Sequence, residues 1–252
     1  MDKSINILPH ERVDDLLVKD LKIIQDPNGF CFGMDAVLLA HFANVKKGDK
    51  VLDLGTGTGI IPLLIHAHTN ASHITGIELQ KSVYEMAKRS VELNGLTDRI
   101  DILNGDIKDY EAIIKNQSFD YVTCNPPYKK SGAGIITENQ KQLLSRHELT
   151  CGLDTFIMAA SHALKFGKRA SFIITADRFM DMIISLKNAN LEPKRILFIH
   201  SFIDKPPNLM LIEAMKNGKP HVKWMPPLII YNSDNTYTTQ YLNFVSKGNQ
   251  YG

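Results

Sequence analysis

From Lys50 onward, short runs of aliphatic and β-branched residues alternate with longer stretches whose apolar positions recur every three or four residues. The first pattern marks buried strands and the second marks helices with one apolar face. It predicts strands over 50–54, 73–78, 100–104, 119–124, 170–175, 194–200 and 208–215, with helices near 59–68, 81–93, 154–165 and 177–188. Strict alternation of this kind implies early strands that run parallel and are covered by helices on both faces. Only Ser201 to Pro207 separates the last two strands, too short for a helical crossover, so they pair antiparallel. The expected fold class is α/β: a doubly wound, mostly parallel seven-stranded sheet with an antiparallel hairpin at one edge.

Before Lys50 the pattern changes. Leu21 to Gln25 is a short strand running into Asp26-Pro27-Asn28-Gly29, a turn sequence, after which Phe30-Cys31-Phe32 resumes an extended segment. A hairpin over these residues is expected, followed by a helix from Met34 to Ala43 that Lys46-Lys47-Gly48-Asp49 terminates. The organisation this predicts is an N-terminal hairpin and helix over 1–48 and one globular unit over 49–252.

Composition changes this picture little. The chain has 252 residues, 44% hydrophobic and 22% charged, enough for a large core. Its apolar runs fall far short of a membrane span and no apolar signal segment leads it, so the cytoplasm is expected and a membrane partner is not. Cys31, Cys124 and Cys151 lack metal-ligand spacing, so reduced thiols and no metal are expected. Charge is uneven: residues 1–149 hold 17 Lys+Arg against 20 Asp+Glu, whereas 150–252 hold 12 against 7. The C-terminal excess permits a polyanionic partner without identifying one.

Chemistry enters at Val51-Leu52-Asp53-Leu54-Gly55-Thr56-Gly57-Thr58-Gly59, where a buried strand runs into a glycine-rich turn at the mouth of a helix. Gly55, Gly57 and Gly59 allow the tight turn and let a ligand lie against backbone. Glu78 ends the next strand, 23 residues after Gly55, where a carboxylate can accept the hydroxyls of a ribose. NAD and S-adenosylmethionine both fit that much. Asp53, just before the glycines, would repel a pyrophosphate but suits an amino group or a sulfonium. Asp106, after the third strand, is placed either to accept from an adenine amine or to cap the next helical turn. Together the three carboxylates favour the methyl donor.

Asn125-Pro126-Pro127-Tyr128 sits where the fourth strand runs out. The Asn125 amide and the Pro126 carbonyl can hold a planar NH2 group, and Tyr128 offers a face for a flat ring. A planar conjugated amine is a poor nucleophile because its lone pair is delocalised. Hydrogen bonds from its two N–H groups to Asn125 Oδ1 and the Pro126 carbonyl can draw the nitrogen toward pyramidal geometry and restore that pair.

These motifs resemble the class I, Rossmann-like methyltransferases over roughly residues 48–215, and Asn-Pro-Pro-Tyr is similar to the amino-methyltransferase motif. That resemblance implies an acceptor NH2 on adenine, cytosine, guanine or a glutamine amide. Phe32-Gly33-Met34-Asp35-Ala36-Val37-Leu38-Leu39, Arg146-His147-Glu148 and Asp204-Lys205-Pro206-Pro207-Asn208 further resemble the bacterial tRNA(Val) adenine-N6 methyltransferase family, whose target adenine lies 3′ of the anticodon. The resemblance implies S-adenosyl-L-methionine as cofactor, tRNA as partner and Asn125 to Tyr128 as catalytic residues. It implies a donor site of Gly33, Asp35, Asp53, Gly55, Gly57, Gly59, Glu78, Leu79, Asp106, Ile107 and Asn125, with Lys129, Lys130, Arg146 and His147 bordering the acceptor.

An anticodon loop suits a chain with no separate target-recognition domain, since loop bases are more easily extracted than paired ones. Lys165, Lys168, Arg169, Lys194, Arg195, Lys216, Lys219 and Lys223 are candidate phosphate contacts. The alternatives are a release-factor glutamine methyltransferase, disfavoured because only a hairpin and a helix precede the first glycine motif, or another RNA or DNA base. A dehydrogenase would use Gly55, Gly57 and Glu78 equally well but leaves Asn125 to Tyr128 unexplained.

Overall fold

The computed structural model describes residues 5–29, 31–126 and 152–246. Its centre is a nine-stranded sheet. β3 (Lys50–Leu54), β4 (His73–Glu78), β5 (Ile100–Asn104) and β6 (Phe119–Cys124) match the predicted strands residue for residue. β7 (Leu164–Thr175), β8 (Leu191–His200) and β9 (Pro207–Lys216) follow, and the order across the sheet runs β8-β9-β7-β6-β3-β4-β5. β3 to β7 pair in parallel; β9 inserts antiparallel between β7 and β8. Two short strands, β10 (Lys223–Trp224) and β11 (Leu228–Ile229), pair in parallel with the outer side of β8. Among the described residues the expected seven strands are therefore nine, and the antiparallel pair is not the sheet's edge. Two-residue strands carry no readable period.

Side chains alternate across this sheet, and the two faces have separate cores. Leu52, Leu54, Val122, Cys124, Ile212 and Ala214 pack with α5 (Leu153–Ala163) and α6 (Phe179–Asn188). Val51, Tyr121, Ile173, Leu197 and Leu211 pack with α1 (Met34–Phe42), α2 (Ile60–His68), α3 (Lys81–Leu93) and α7 (Thr239–Ser246). A short helix, α4 (Tyr110–Ile113), lies between β5 and β6. The odd-numbered positions under α1 also include polar ones: Asp53, Thr123, Arg169, Ser171, Arg195 and Glu213.

That polar stripe fixes α1. Glu213, wholly buried, accepts from Arg169 at 2.5 Å, Arg195 at 3.2 Å and the Tyr121 hydroxyl at 2.9 Å. The same groups reach α1: Arg195 Nη2 donates to the Phe42 carbonyl at 2.8 Å, and the Asn44 N–H donates to Tyr121 Oη at 2.9 Å. Burial, and then the Glu213 charge, push the Tyr121 phenol upward, so it stays protonated.

The N-terminal hairpin is not where the sequence suggests. β1 (Arg12–Asp15) pairs antiparallel with β2 (Lys22–Gln25), so the strand over 21–25 turns back on the residues before it, not on Cys31 and Phe32. The hairpin is bound to α3: Ile24 N–H donates to Ser90 Oγ at 2.9 Å and Lys22 N–H to Asn94 Oδ1 at 2.8 Å. Cys31 and Phe32 are outside any strand, and Gln25 Oε1 accepts the Phe32 N–H at 3.0 Å, directing the chain into α1.

Candidate active site

Parallel strands β3 to β7 all end on one edge of the sheet, and the predicted donor residues gather there. Asp53 is 1% exposed, and its Oδ1 accepts from Thr123 Oγ1 on the adjoining strand at 2.7 Å. Burial pushes this carboxyl up to about 7, against the pull of the Thr123 and Thr56 hydroxyls. The Thr56 hydroxyl is close enough to act on the charge without forming a well-aligned hydrogen bond. Asp53 Oδ2 is buried with no hydrogen-bond partner, a acceptor that suits the amino group of a bound amino acid.

The glycine turn follows directly. Gly55, Gly57 and Gly59 take φ of +71°, +58° and +85°, a region L side chains rarely adopt. Gly55 and Thr56 donate to the Ile77 carbonyl at 3.0 and 2.9 Å, tying the turn to β4. Gly57 N–H donates to Glu78 Oε2 at 3.0 Å, while Glu78 Oε1 accepts the Gln80 N–H at 2.8 Å. Glu78 thus braces the turn as well as standing at the ribose position. Asn104, which the sequence did not single out, donates to the carbonyls of Glu78 at 2.8 Å and Leu79 at 2.9 Å. Its only sequence signal is its place at the end of the third parallel strand.

Asp106 caps the 3-10 turn Ile107–Asp109, its Oδ1 accepting the Lys108 N–H at 2.9 Å. That is the capping role the sequence allowed; Oδ2 is the oxygen that remains for an amine. The Ile107 side chain is 5% exposed and lies in the core, so a ligand there meets its main chain. Leu79 is 38% exposed beside the tip of β4.

Gly33 and Asp35 arrive from the first turn of α1. Asn125 is half-buried immediately after β6, Pro126 is buried, and Asn125 Nδ2 donates to Asp35 Oδ2 at 3.1 Å. Asn125 Oδ1 is buried with no hydrogen-bond partner. Pro127, Tyr128, Lys129, Lys130, Arg146 and His147 lie outside the described residues. Asp204 to Pro206, by contrast, fall in the connection between β8 and β9 on this same edge.

The basic residues proposed for phosphate contact are elsewhere. Arg169 and Arg195 are committed to Glu213. Lys168 pairs with Asp49 at 3.4 Å and Asp120 at 3.1 Å, and Lys165 pairs with Asp120 at 2.9 Å, at the edge where the parallel strands begin. Lys216 donates to the Ser161 and Leu164 carbonyls, and Lys194 to the Lys219 carbonyl. Lys223 lies opposite Arg195, midway along β8 and short of its carboxyl end. Sequence shows charge but not which edge bears it. Among the described residues, no group of three or more His, Cys, Asp or Glu could hold a metal ion, and no helix is long and apolar enough to cross a membrane.

A glycine-turn site at the carboxyl edge of a sheet ordered in this way defines a Rossmann-like methyltransferase. Solved structures agree on the fold: a predicted O-methyltransferase from Agrobacterium tumefaciens superimposes with a TM-score of 0.69, at 24% identity, over 85% of this chain and 96% of its own. P. horikoshii TYW2, solved in complex with MeSAdo, gives 0.57 at 16% identity, over 83% of this chain and 72% of its own. The methyltransferase small domain profile matches residues 20–179, and the chain belongs to that family. Its methyl donor is S-adenosyl-L-methionine. The chain is similar to the tRNA1(Val) (adenine(37)-N6)-methyltransferase of Porphyromonas gingivalis, 29% identical over 83% of this chain and 85% of that one. It is 28% identical to the Haemophilus influenzae protein of the same name, over 89% and 93%.

Proposed function

We propose that this protein transfers the methyl group of S-adenosyl-L-methionine to the N6 amine of an adenine in tRNA, at position 37 of a valine tRNA. The observation that carries the acceptor class is Asn125: its NH2 end is held by Asp35, and its carbonyl oxygen is buried with nothing to accept from. A buried unpaired acceptor is costly, so such an atom marks a place where a ligand donates. An exocyclic amine supplies that donor. The choice of adenine and tRNA is supported by the names of the relatives, which align along most of the chain.

The donor supplies an electrophilic methyl on sulfur. This chain's residues do the rest. Asp53 Oδ2 would accept from the donor's amino group, Glu78 from its ribose, and Asp106 Oδ2 from its adenine amine. Asn125 Oδ1 and the Pro126 carbonyl would accept the two N–H groups of the target amine and turn its lone pair toward the methyl; the N–C bond would form as the S–C bond breaks to leave a thioether, and the extra proton on nitrogen would pass to water. Holding both reactants in line contributes much of the rate, since effective molarity is worth about 7–11 kcal/mol of barrier. The cytoplasm, where tRNA is abundant, is the proposed location. Incubation with labelled donor and unmodified tRNA, followed by nucleoside mass spectrometry, tests this: N6-methyladenosine is expected, and label in a protein amide or another base overturns it.

A further inference from the structure

Asn125 is useful only one way round. Its carbonyl and NH2 ends have nearly the same shape, and a half-turn about the last side-chain bond exchanges an acceptor for a donor. With the amide reversed, an NH2 would face the amine it has to hold. We infer that Asp35 is a positioning residue for methyl transfer, whose carboxylate selects the orientation of Asn125 that presents Oδ1 to the acceptor. The inference rests on the acceptor role proposed for Asn125.

Three observations carry it. First, Asp35 Oδ2 takes the Asn125 Nδ2 hydrogen at 3.1 Å, and a carboxylate can only accept, so it stabilises one of the two amide orientations and opposes the other. Second, the opposite end of the amide is buried without a partner, so no described group competes for its direction. Third, Asp35 is itself mounted. Its Oδ1 accepts the Ala36 N–H at 3.1 Å, and α1 is fixed at its far end by the Arg195 and Tyr121 contacts at Phe42 and Asn44.

Gly33 belongs to the same device. Its φ of −106° is open to any residue, so backbone freedom does not explain the glycine. A Cβ there would lie 2.5 Å from Asp35 Oδ1. Any side chain at position 33 pushes the carboxylate away from its present place. Gly33 is therefore needed for room, and Gly33→Ala displaces Asp35 without removing it.

Asp35→Asn and Asp35→Ala separate this role from donor binding. An Asn at 35 both donates and accepts, so it supports either orientation of Asn125; an Ala supports neither. At saturating donor and tRNA, single-turnover methyl transfer is expected to fall about 10- to 100-fold in both variants, the scale of a small misplacement of reacting groups. Gly33→Ala gives a smaller fall in the same direction, and S-adenosylhomocysteine affinity by calorimetry stays within about twofold throughout. In an Asn125→Ala background, Asp35→Ala is expected to add nothing, because no amide remains to orient. Tenfold weaker S-adenosylhomocysteine binding with an unchanged saturated rate would make Asp35 a donor ligand and overturn the inference, as would losses that multiply independently.

A readout without RNA keeps the test separate from the proposed substrate. In the S-adenosylhomocysteine complex, the Asn125 side-chain NH2 resonances, assigned by their loss in Asn125→Ala, should exchange slowly in the wild type and rapidly in Asp35→Ala. Unchanged exchange overturns the inference. If the wild type leaves tRNA unmethylated while Asp35→Ala still frees the amide, the substrate reading fails and the positioning role stands. Asp35→Asn, nearly the same shape, serves wherever Asp35→Ala fails to fold.

Discussion

Two sets of buried polar groups lie on the same face of the sheet, and they are built differently. Around Glu213, charged and hydroxyl groups from β6, β7, β8 and β9 meet at 2.5–3.2 Å and hold the end of α1. At the carboxyl edge, Asp53 Oδ2, Thr58 Oγ1 and Asn125 Oδ1 are just as buried and have no hydrogen-bond partner. The first set is scaffold: its carboxylate, Glu213, has both oxygens engaged by side chains of the protein. The second is a site: its interactions are half made, and the missing half describes the ligand. Burial alone does not distinguish the two carboxylates, Glu213 and Asp53, whereas satisfaction of their oxygens does.

The comparison breaks most visibly at Glu213. Glu213→Ala leaves Arg169 and Arg195 without their carboxylate and is expected to cost about 3–5 kcal/mol in urea unfolding. A loss below 1 kcal/mol would remove the network from the scaffold. Asn125→Ala should instead leave stability nearly unchanged and reduce turnover about 10²–10³-fold, as loss of one positioned hydrogen-bonding group does elsewhere. S-adenosylhomocysteine affinity should hold, and equal loss of both would contradict the acceptor role.

Asp53 sharpens the contrast through pH. Its folded pKa, about 7, lies above the ordinary aspartate value of 3.8, so between those values the folded state binds the extra proton. Stability from this group is therefore full at low pH and is lost as pH rises toward 7. From pH 5 to pH 7.5 the ligand-free protein should lose on the order of 2–3 kcal/mol through it. Asp53→Asn should abolish that slope; an unchanged one assigns it elsewhere. Donor binding should show the complement, weakening by up to tenfold per unit below pH 7 as the carboxylate is neutralised. The smallest effect belongs to Lys165→Ala with Lys168→Ala: exposed pairs are worth about 0–1 kcal/mol each, and tRNA affinity should not change. A tenfold fall in that affinity would bring RNA to the opposite edge.

The two regions also differ in how far the sequence reveals them. β3 to β6 are legible to the residue because buried parallel strands are continuous apolar runs between glycines and polar turns. Gly55 to Gly59, Glu78 and Asn125 are legible for a related reason, since each stands at a strand end where structure alone has little use for it. β1 escapes because Arg12-Val13-Asp14-Asp15 is mostly exposed and carries no apolar alternation, and Cys31-Phe32 offers a better-looking but false partner. The pairs that complete the site were also invisible. Thr123 with Asp53, Asn104 with Glu78 and Asp35 with Asn125 are separated by 70, 26 and 90 residues, and only the sheet order brings them together.

The strand order has a consequence for how the chain comes off the ribosome. Among the described residues, β8 pairs with β9, β10 and β11, all made after it, and with no strand made before. Until Pro207 to Lys216 emerges, the Ile196-Leu197-Phe198-Ile199 run of β8 has two open edges and an apolar composition, the combination that recruits other chains. The nascent protein is thus most prone to aggregation after its catalytic half is already complete.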